Sequence, residues 1–296
     1  MTHAHGGSAA SQNRRRLQIV LALTSTYLLA EVVGGLLTHS LALLADAGHM
    51  LTDVGGLGLA LFAIKFGERP ATPERTYGYY RVEILAALAN AVVLIGVSIY
   101  ILYEAYERFR NPPEVASGAM MLVAVIGLAV NIAGALLLRQ GSAASLNLKG
   151  AYFEVISDLL TSIGVLIAGV VMWATGWYYA DPLVSAGIGL FILPRTWGLM
   201  REAVGVLLEG TPANVNLEAV RARILSVPGV DGVHDLHVWT ITSGMNAMSV
   251  HVVLADGAIH DVVLARVQGA VTKDLAIGHA TVQVERKGCE AMETHL

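Results

Sequence analysis

The chain has 296 residues, of which 55% are apolar and 14% are charged, and its formal net charge is −4. Soluble proteins carry about 25% charged residues, so this composition excludes a chain that is soluble along its whole length. The slightly acidic balance gives no electrostatic reason to expect nucleic-acid binding. A single cysteine, Cys289, excludes a disulfide within the chain.

Six long apolar stretches fill the first two-thirds of the chain. A bilayer core of about 30 Å requires about 20 apolar residues in a helix. The stretches that meet this length are 17–38, 41–64, 84–103, 119–138, 148–173 and 182–200. The very short gap between the first two predicts a tight helical hairpin. Three arginines before the first stretch resemble a signal peptide, but the stretch is too long for one, and we interpret it as a retained first span.

The placement of lysine and arginine predicts the orientation. With a cytoplasmic N-terminus, eleven of these residues flank the spans on the cytoplasmic side, namely Arg14, Arg15, Arg16, Lys65, Arg69, Arg75, Arg81, Arg139, Lys149, Arg195 and Arg201. Only Arg108 and Arg110 lie on the other side. Because cytoplasmic loops carry an excess of lysine and arginine, both termini are expected in the cytoplasm of a cell whose inner membrane holds the protein.

The last third of the chain has the pattern of a small soluble domain. Helical spacing of apolar residues predicts helices at 214–226 and 259–275, and β-rich segments predict strands at 230–241, 247–254 and 280–285, with a turn at Ser243 and Gly244. The order α-β-β-α-β indicates an open-faced α+β sandwich. We therefore divide the chain into a cytoplasmic tail (1–16), an all-α membrane domain (17–208) and a cytoplasmic α+β domain (209–296).

Ionisable residues occur inside two of the predicted spans. His49 and Asp53 of the second span are four residues apart, as are Glu154 and Asp158 of the fifth. This spacing places each pair on one helical face. A charged side chain at mid-span costs roughly 2.5–3.5 kcal/mol, and a divalent cation held between the two pairs would offset that cost. One imidazole and three carboxylates are donors that Zn²⁺ accepts.

The alternative for these residues is structural, with protonated acids hydrogen-bonded to neighbouring helices. Two matched pairs on two spans favour the metal site over that alternative. For Glu31 and Asp46 neither interpretation is preferred. Asn90 and Asn131 are better interpreted as polar contacts between helices.

Four motifs resemble those of the cation diffusion facilitator family, and the resemblance covers nearly the whole chain. They are SLALLADAGHMLTD at 40–53, YGYYRVE at 77–83 with Asn90 after it, KGAYFEVISD at 149–158 and HDLHVW at 234–239. The match is to the bacterial branch that exports zinc, cobalt and cadmium. The resemblance implies a homodimer that exports a divalent metal ion from the cytosol in exchange for protons, with no enzymatic activity and no cofactor.

The resemblance also implies site residues. The transport site maps to His49, Asp53, Glu154 and Asp158. A second site, in a metallochaperone-like cytoplasmic domain near the dimer interface, maps to His234, His251 and Glu285, with His279 as a further candidate. Our hypothesis for this second site is that its metal ion regulates transport.

Two departures from the family pattern bear on selectivity. Many zinc-selective members carry histidine at the position of Glu154, and the additional carboxylate predicts broader acceptance of Zn²⁺, Co²⁺ and Cd²⁺. The loop at 66–76 contains Glu68 and Glu74 but no histidine, so we predict no metal site there.

The remaining histidines are weaker candidates for metal ligands. His3 and His5 lie in a tail and His260 opens a helix, so we expect them to be solvated, and His39 is expected at the membrane interface. His237 is three residues from His234, an odd offset, so the two share a strand face only if the strand is irregular between them. We expect a hydrogen-bonding or packing role for His237.

Rival functions remain open at this point. An importer of the same fold differs only in the direction of transport, and a passive channel would show flux that neither saturates nor depends on pH. An intramembrane metalloenzyme lacks support, because the chain has neither an H-E-x-x-H motif nor a separate nucleophile and base.

Overall fold

A computed structural model of the chain describes residues 9–67, 69–142, 146–242, 244–274 and 277–286. Six long helices come first, and their bounds are α1 (Ala9–Thr38), α2 (Leu41–Gly67), α3 (Arg81–Arg110), α4 (Ser117–Ser142), α5 (Leu146–Thr175) and α6 (Ala180–Leu207). They contain the six predicted spans and extend most of them by a turn or more. The fold class of six membrane helices followed by an α+β domain is confirmed.

The six helices have the length and surface of membrane spans. Five of them contain windows long and apolar enough to cross a bilayer, and the described part of α2 contributes a shorter apolar segment, Leu41–Thr52. Large apolar side chains such as Leu37 and Trp173 point outward and are more than 70% exposed. Lipid, which is as apolar as these side chains, is the solvent that suits them. The protein is therefore a multi-pass membrane protein.

The chain forms two compact units. One contains the helical segments up to Gly58 and from Ala89 to Leu199, and the other contains Leu59–Leu88 together with the chain from Met200 onward. In the first unit, buried side chains of α2 to α6 form the main apolar core, which includes Leu43, Met120, Val165 and Met172.

The hairpin between α1 and α2 turns within two residues, as predicted. His39 has a φ of 58°, a left-handed conformation that permits the reversal. Asp181 at the start of α6 then receives the first free N–H groups of α2, with 2.8 Å from Leu41 N and 3.2 Å from Ala42 N, and accepts from Ser40 Oγ at 2.6 Å. An acid of one helix thus caps the N-terminus of another.

The soluble part of the chain follows the predicted order. It contains α7 (Leu217–Leu225), β1 (Val230–Thr242), β2 (Met245–Leu254), α8 (His260–Asp274) and β3 (His279–Glu285). The sheet order is β1-β2-β3, in which β1 pairs antiparallel with β2 and β3 pairs parallel with β2. Val250, Val252, Val267 and Ile224 lie in the core between the sheet and the two helices.

Two details of this part differ from the sequence prediction. Helix α7 begins three residues later than predicted, because Asn216 caps it by accepting a hydrogen bond from Ala219 N at 3.2 Å. The β1–β2 turn contains Gly244 at a φ of 75°, which glycine adopts without strain. Ser243, the other predicted turn residue, lies outside the described residues.

Candidate metal sites

The first candidate site lies between α2 and α5. His49 Nε2 lies 3.7 Å from Glu154 Oε1 and 3.9 Å from Asp158 Oδ1. His49 and Asp158 are buried, while the Glu154 side chain is about one-quarter exposed. Ligand atoms of a tetrahedral zinc ion with bonds of about 2 Å lie about 3.3 Å apart. A movement of about half an ångström would bring each carboxylate to that distance from the His49 imidazole.

The local fold explains why these side chains meet. Residues Glu154 and Asp158 lie one helical turn apart on α5, so both face α2 at the level of His49. The fourth predicted residue, Asp53, lies on the next turn of α2, and its side chain is outside the described residues.

Arg195 of α6 takes part in this site, which sequence reasoning missed. Its Nη2 lies 2.6 Å from Glu154 Oε2 and its Nη1 lies 3.4 Å from Glu154 Oε1. The guanidinium thus binds the carboxylate through two atoms. The signal in the sequence is its position within the predicted sixth span, because a charge inside a span is typical of a functional residue.

The second candidate site lies on the exposed face of the small sheet. Among the described residues, one group of at least three side chains brings metal-ligand atoms mutually within 4.8 Å, and it consists of His234, His251 and Glu285. Glu285 lies 3.2 Å from His234 Nε2 through Oε2 and 2.9 Å from His251 Nδ1 through Oε1. Two imidazoles and a carboxylate are a common set of zinc ligands.

Strand register brings these three residues together. His234 and His251 are paired across β1 and β2, and the two rings meet edge to face at 5.2 Å between centroids. Glu285 of β3 pairs with Val253 of β2, which places the carboxylate two residue pairs beyond the histidines, on the same face of the sheet.

His279 does not join this group. It begins β3 while Glu285 ends it, so six residues, or about 20 Å of strand, separate them on the same face. Instead the His279 ring contacts Tyr77 edge to face, with 5.7 Å between centroids.

A bulge in β1 adds Asp235 to the surroundings of the second site. The register shifts between His234 and His237, and Asp235 has a φ of 47°. The strand is thus irregular between the two histidines, which is the condition under which they can share a strand face. Asp235 Oδ1 lies 2.8 Å from His237 Nε2, and Oδ2 lies 3.7 Å from His251 Nε2. His237 therefore has the predicted hydrogen-bonding role.

The histidines around Asp235 change its acidity. The hydrogen bond from His237 lowers the pKa of Asp235 below its ordinary value, and the positive charges of His237, His251 and His234 lower it further. An ionised Asp235 therefore adds negative charge beside the second candidate site. The sequence contains no direct signal for this role beyond the strand irregularity.

Several predicted minor residues can be located. His39 is exposed at the α1–α2 turn, and its carbonyl oxygen accepts a hydrogen bond from Arg108 Nη1 at 2.6 Å. Asn131 donates to Ser162 Oγ at 3.2 Å, a contact between α4 and α5. His3, His5, Glu68 and Cys289 lie outside the described residues.

Family models match the two parts of the chain separately. The cation efflux transmembrane domain matches residues 17–208, and the cation efflux protein cytoplasmic domain matches residues 212–287.

Named relatives and a solved structure are similar to this chain. The cation efflux system protein CzcD of Alcaligenes sp. is 49% identical over 291 residues, covering 98% of this chain and 90% of the relative. A cadmium, cobalt and zinc/H(+)-K(+) antiporter of Bacillus velezensis is 41% identical over 290 residues, covering 96% and 92%. The metal-bound C-terminal domain of the CzcD transporter from Cuprividus metallidurans is 38% identical, covering 24% of this chain and 99% of that domain at a TM-score of 0.23. The chain belongs to the cation efflux family, whose other name is the cation diffusion facilitator family.

Proposed function

We propose that the protein exports divalent metal ions, Zn²⁺ together with Co²⁺ and Cd²⁺, from the cytosol in exchange for protons, and so confers metal tolerance. The observation that carries this proposal is the meeting of His49 with Glu154 and Asp158 inside a helical membrane unit. Relatives named for cation efflux and for zinc antiport with protons support it.

The transport site consists of His49, Asp53, Glu154 and Asp158, with the ion as substrate. Each of these groups binds metal only when deprotonated, so metal and protons compete for the same atoms. A metal ion that enters from the cytosol displaces protons, and protons from the other side displace the metal when the site opens there. This competition produces antiport by alternating access.

The arrangement in the membrane follows the positive-inside pattern. Both termini and the domain at 209–296 are cytoplasmic, and the membrane domain spans 17–208 after a tail at 1–16. The match of residues 212–287 to the family's cytoplasmic domain supports a homodimer.

A transport assay in proteoliposomes tests this function. With a pH gradient that is acidic on the side to which metal is exported, the wild type should accumulate Zn²⁺ to saturation, and His49→Ala and Asp158→Ala should abolish accumulation. The matched control is Glu104→Ala, which removes a half-buried carboxylate of α3 that pairs with Arg108 at 3.0 Å. Full flux in both site variants would refute the assignment of the transport site.

The same assay separates the rival functions. A channel of this architecture would give flux that does not saturate and that ignores the pH gradient. An importer would move metal toward its cytoplasmic face under the same gradient.

A second candidate function is regulatory and belongs to the cytoplasmic domain. The convergence of His234, His251 and Glu285 supports a metal site that senses cytosolic metal and draws the two domains of a dimer together. Spin labels on the two domains measure the distance between them. Metal should shorten that distance in the wild type but not in His251→Ala, and an equal shortening in both would refute the sensor.

A further inference from the structure

Two fully buried acids lie close to the proposed transport ligands without belonging to them. Glu31 of α1 and Asp46 of α2 are both 0% exposed. Glu31 Oε1 accepts a hydrogen bond from Tyr27 Oη at 2.6 Å, and Asp46 Oδ1 accepts one from Thr161 Oγ1 at 2.6 Å. Within the described part of the chain, Glu31 Oε2 and Asp46 Oδ2 are buried and have no hydrogen-bond partner.

These two oxygen atoms require a hydrogen. The two carboxyl groups are hydrogen-bond neighbours, but ionised carboxylates only accept hydrogen bonds. Two like charges that share a dry site hold one proton rather than ionise together. One proton between Oε2 and Oδ2 gives both atoms a partner and halves the buried charge.

Among the described side chains around the pair, no cation replaces this proton. The charged or titratable groups that act on the pair are Tyr27 on α1 and Asp158 on α5, with His49 one turn along α2. Helix α4 contributes the neutral amide of Asn131 through Ser162. Among these described groups none is an arginine or a lysine, and the Tyr27 hydroxyl already donates its hydrogen to Glu31 Oε1.

We propose that Glu31 and Asp46 hold one shared proton in the metal-free protein and release it when a divalent ion binds at His49, Glu154 and Asp158. The inference rests on the proposed transport function and adds a proton site to it. Loss of the proton takes the pair from one negative charge to two, and the charge of the arriving ion compensates for that increase. The released proton leaves to water.

Thr161 connects the acid pair to the metal ligands. Its Oγ1 lies 2.6 Å from Asp46 Oδ1 and 2.9 Å from the carbonyl oxygen of Asp158. A hydroxyl has one hydrogen to donate, and it donates more strongly to an ionised carboxylate than to a carbonyl. Ionisation of the pair therefore draws the Thr161 hydrogen to Asp46, and protonation lets it return to the turn of α5 that carries Asp158.

Proton release on metal binding tests the inference in the full-length protein. Purified protein in weakly buffered detergent solution is titrated with Zn²⁺, and the protons released per bound ion are counted. Glu31→Gln and Asp46→Asn should each bind Zn²⁺ but release about one proton fewer than the wild type. Glu104→Gln should release as many as the wild type. Protons released at the cytoplasmic site are common to all four proteins and cancel.

Infrared spectroscopy provides a readout that needs no transport and that can be made on the wild type alone. The metal-free wild type should show the carbonyl stretch of a protonated carboxyl group, which Zn²⁺ should remove and which Asp46→Asn should lack. Absence of the band from the metal-free wild type overturns the inference, and so does unchanged proton release in both variants while Zn²⁺ still binds. A wild type that fails to bind Zn²⁺ overturns the proposed function instead, and the band then decides whether the pair holds a proton.

Discussion

Arg195 holds Glu154 through both of its terminal nitrogen atoms, at 2.6 and 3.4 Å. Glu154 Oε1 also lies 3.7 Å from His49 Nε2, so one carboxylate faces an arginine on one side and a proposed metal ligand on the other. A metal ion on Glu154 would lie about 5 Å from the guanidinium, where repulsion between these charges is roughly 2–7 kcal/mol for dielectric constants from 80 to 20. Arg195 must therefore withdraw as the metal binds, and its 54% exposed side chain has room to do so.

Removal of the Arg195 charge should tighten metal binding at the transport site. Arg195→Ala leaves Glu154 without a competing cation, so we expect the dissociation constant for Zn²⁺ to fall roughly tenfold, or about 1.4 kcal/mol, and release to slow. Isothermal titration of the purified protein measures the affinity, and a stopped-flow chelator assay measures release.

The matched control for this prediction is Arg195→Lys, which keeps the positive charge but not the two-atom contact. It should bind Zn²⁺ more weakly than Arg195→Ala. If Arg195→Ala binds no more tightly than the wild type, Arg195 does not compete with the metal for Glu154.

Replacement of Glu154 by histidine should narrow metal selectivity. Glu154→His makes the site less anionic and exchanges an oxygen donor for a nitrogen donor, which suits Zn²⁺ and removes the charge that favours a broad range of ions. We expect Zn²⁺ transport to persist, while the ratios of Co²⁺ and Cd²⁺ flux to Zn²⁺ flux fall several-fold. Competition assays in proteoliposomes measure these ratios, and unchanged ratios would show that Glu154 does not set selectivity.

Features that depend on local helical geometry and on apolar length could be predicted from the sequence. The spacing of Glu154 and Asp158 follows from helical periodicity alone, and an apolar length of 20 residues defines a span in any context. To predict that His49 and Glu154 lie close together, we had to assume that α2 and α5 pack against each other. The free-energy cost of burying unpaired charges in the membrane is the reason for that assumption. The structure agrees with that assumption.

Contacts between side chains of different helices or strands could not be predicted from the sequence. Arg195 is 41 residues from Glu154, and no periodic pattern relates a residue of α6 to one of α5. Asp235 reaches His251 at a bulge in β1, and the sequence pattern does not predict that bulge. The family resemblance made His279 a further candidate, but the length of β3 separates it from Glu285. Helix α7 begins later than predicted because Asn216 caps its N-terminus. The spacing of apolar residues, from which the helix was predicted, does not define where a helix begins.

Loss of the Asp181 carboxylate should destabilise the membrane unit. Asp181 is 0% exposed, accepts hydrogen bonds from Ser40 Oγ, Leu41 N and Ala42 N, and lies 3.5 Å from Arg108 Nη1. Loss of a helix cap costs about 0.5–2 kcal/mol, and each buried donor left without a partner costs about 1–3 kcal/mol. We expect Asp181→Ala to lower stability by about 2–4 kcal/mol, measured as thermal unfolding in detergent.

A control for the Asp181 prediction is Glu104→Ala, which removes the other acid that pairs with Arg108. That pair joins residues four apart on α3 at 3.0 Å, and helix pairs with this spacing contribute about 0.3–0.5 kcal/mol. A shift as small in Asp181→Ala as in Glu104→Ala would show that the cap on α2 is dispensable.

The acidity of Asp235 should depend on His237. The hydrogen bond from His237, followed by the charges of the nearby histidines, lowers the pKa of Asp235. His237→Ala should therefore raise the Asp235 pKa toward its ordinary value of about 3.9. Carbon NMR of protein labelled at aspartate carboxyl groups measures the titration. His260→Ala, which removes a separate contact of 2.8 Å with Asp261, should leave it unchanged.

The sign of the stability effect follows from the direction of this pKa shift. Because the pKa is lower in the folded state, the ionised Asp235 contributes stability at pH values above its unfolded pKa of about 3.9. That contribution disappears as the pH falls through the lower folded value. The stability difference between wild type and His237→Ala should therefore be larger at about pH 5 than below about pH 3, and small because the pair is exposed. A difference that grows toward acid pH would contradict the assigned contact between His237 and Asp235.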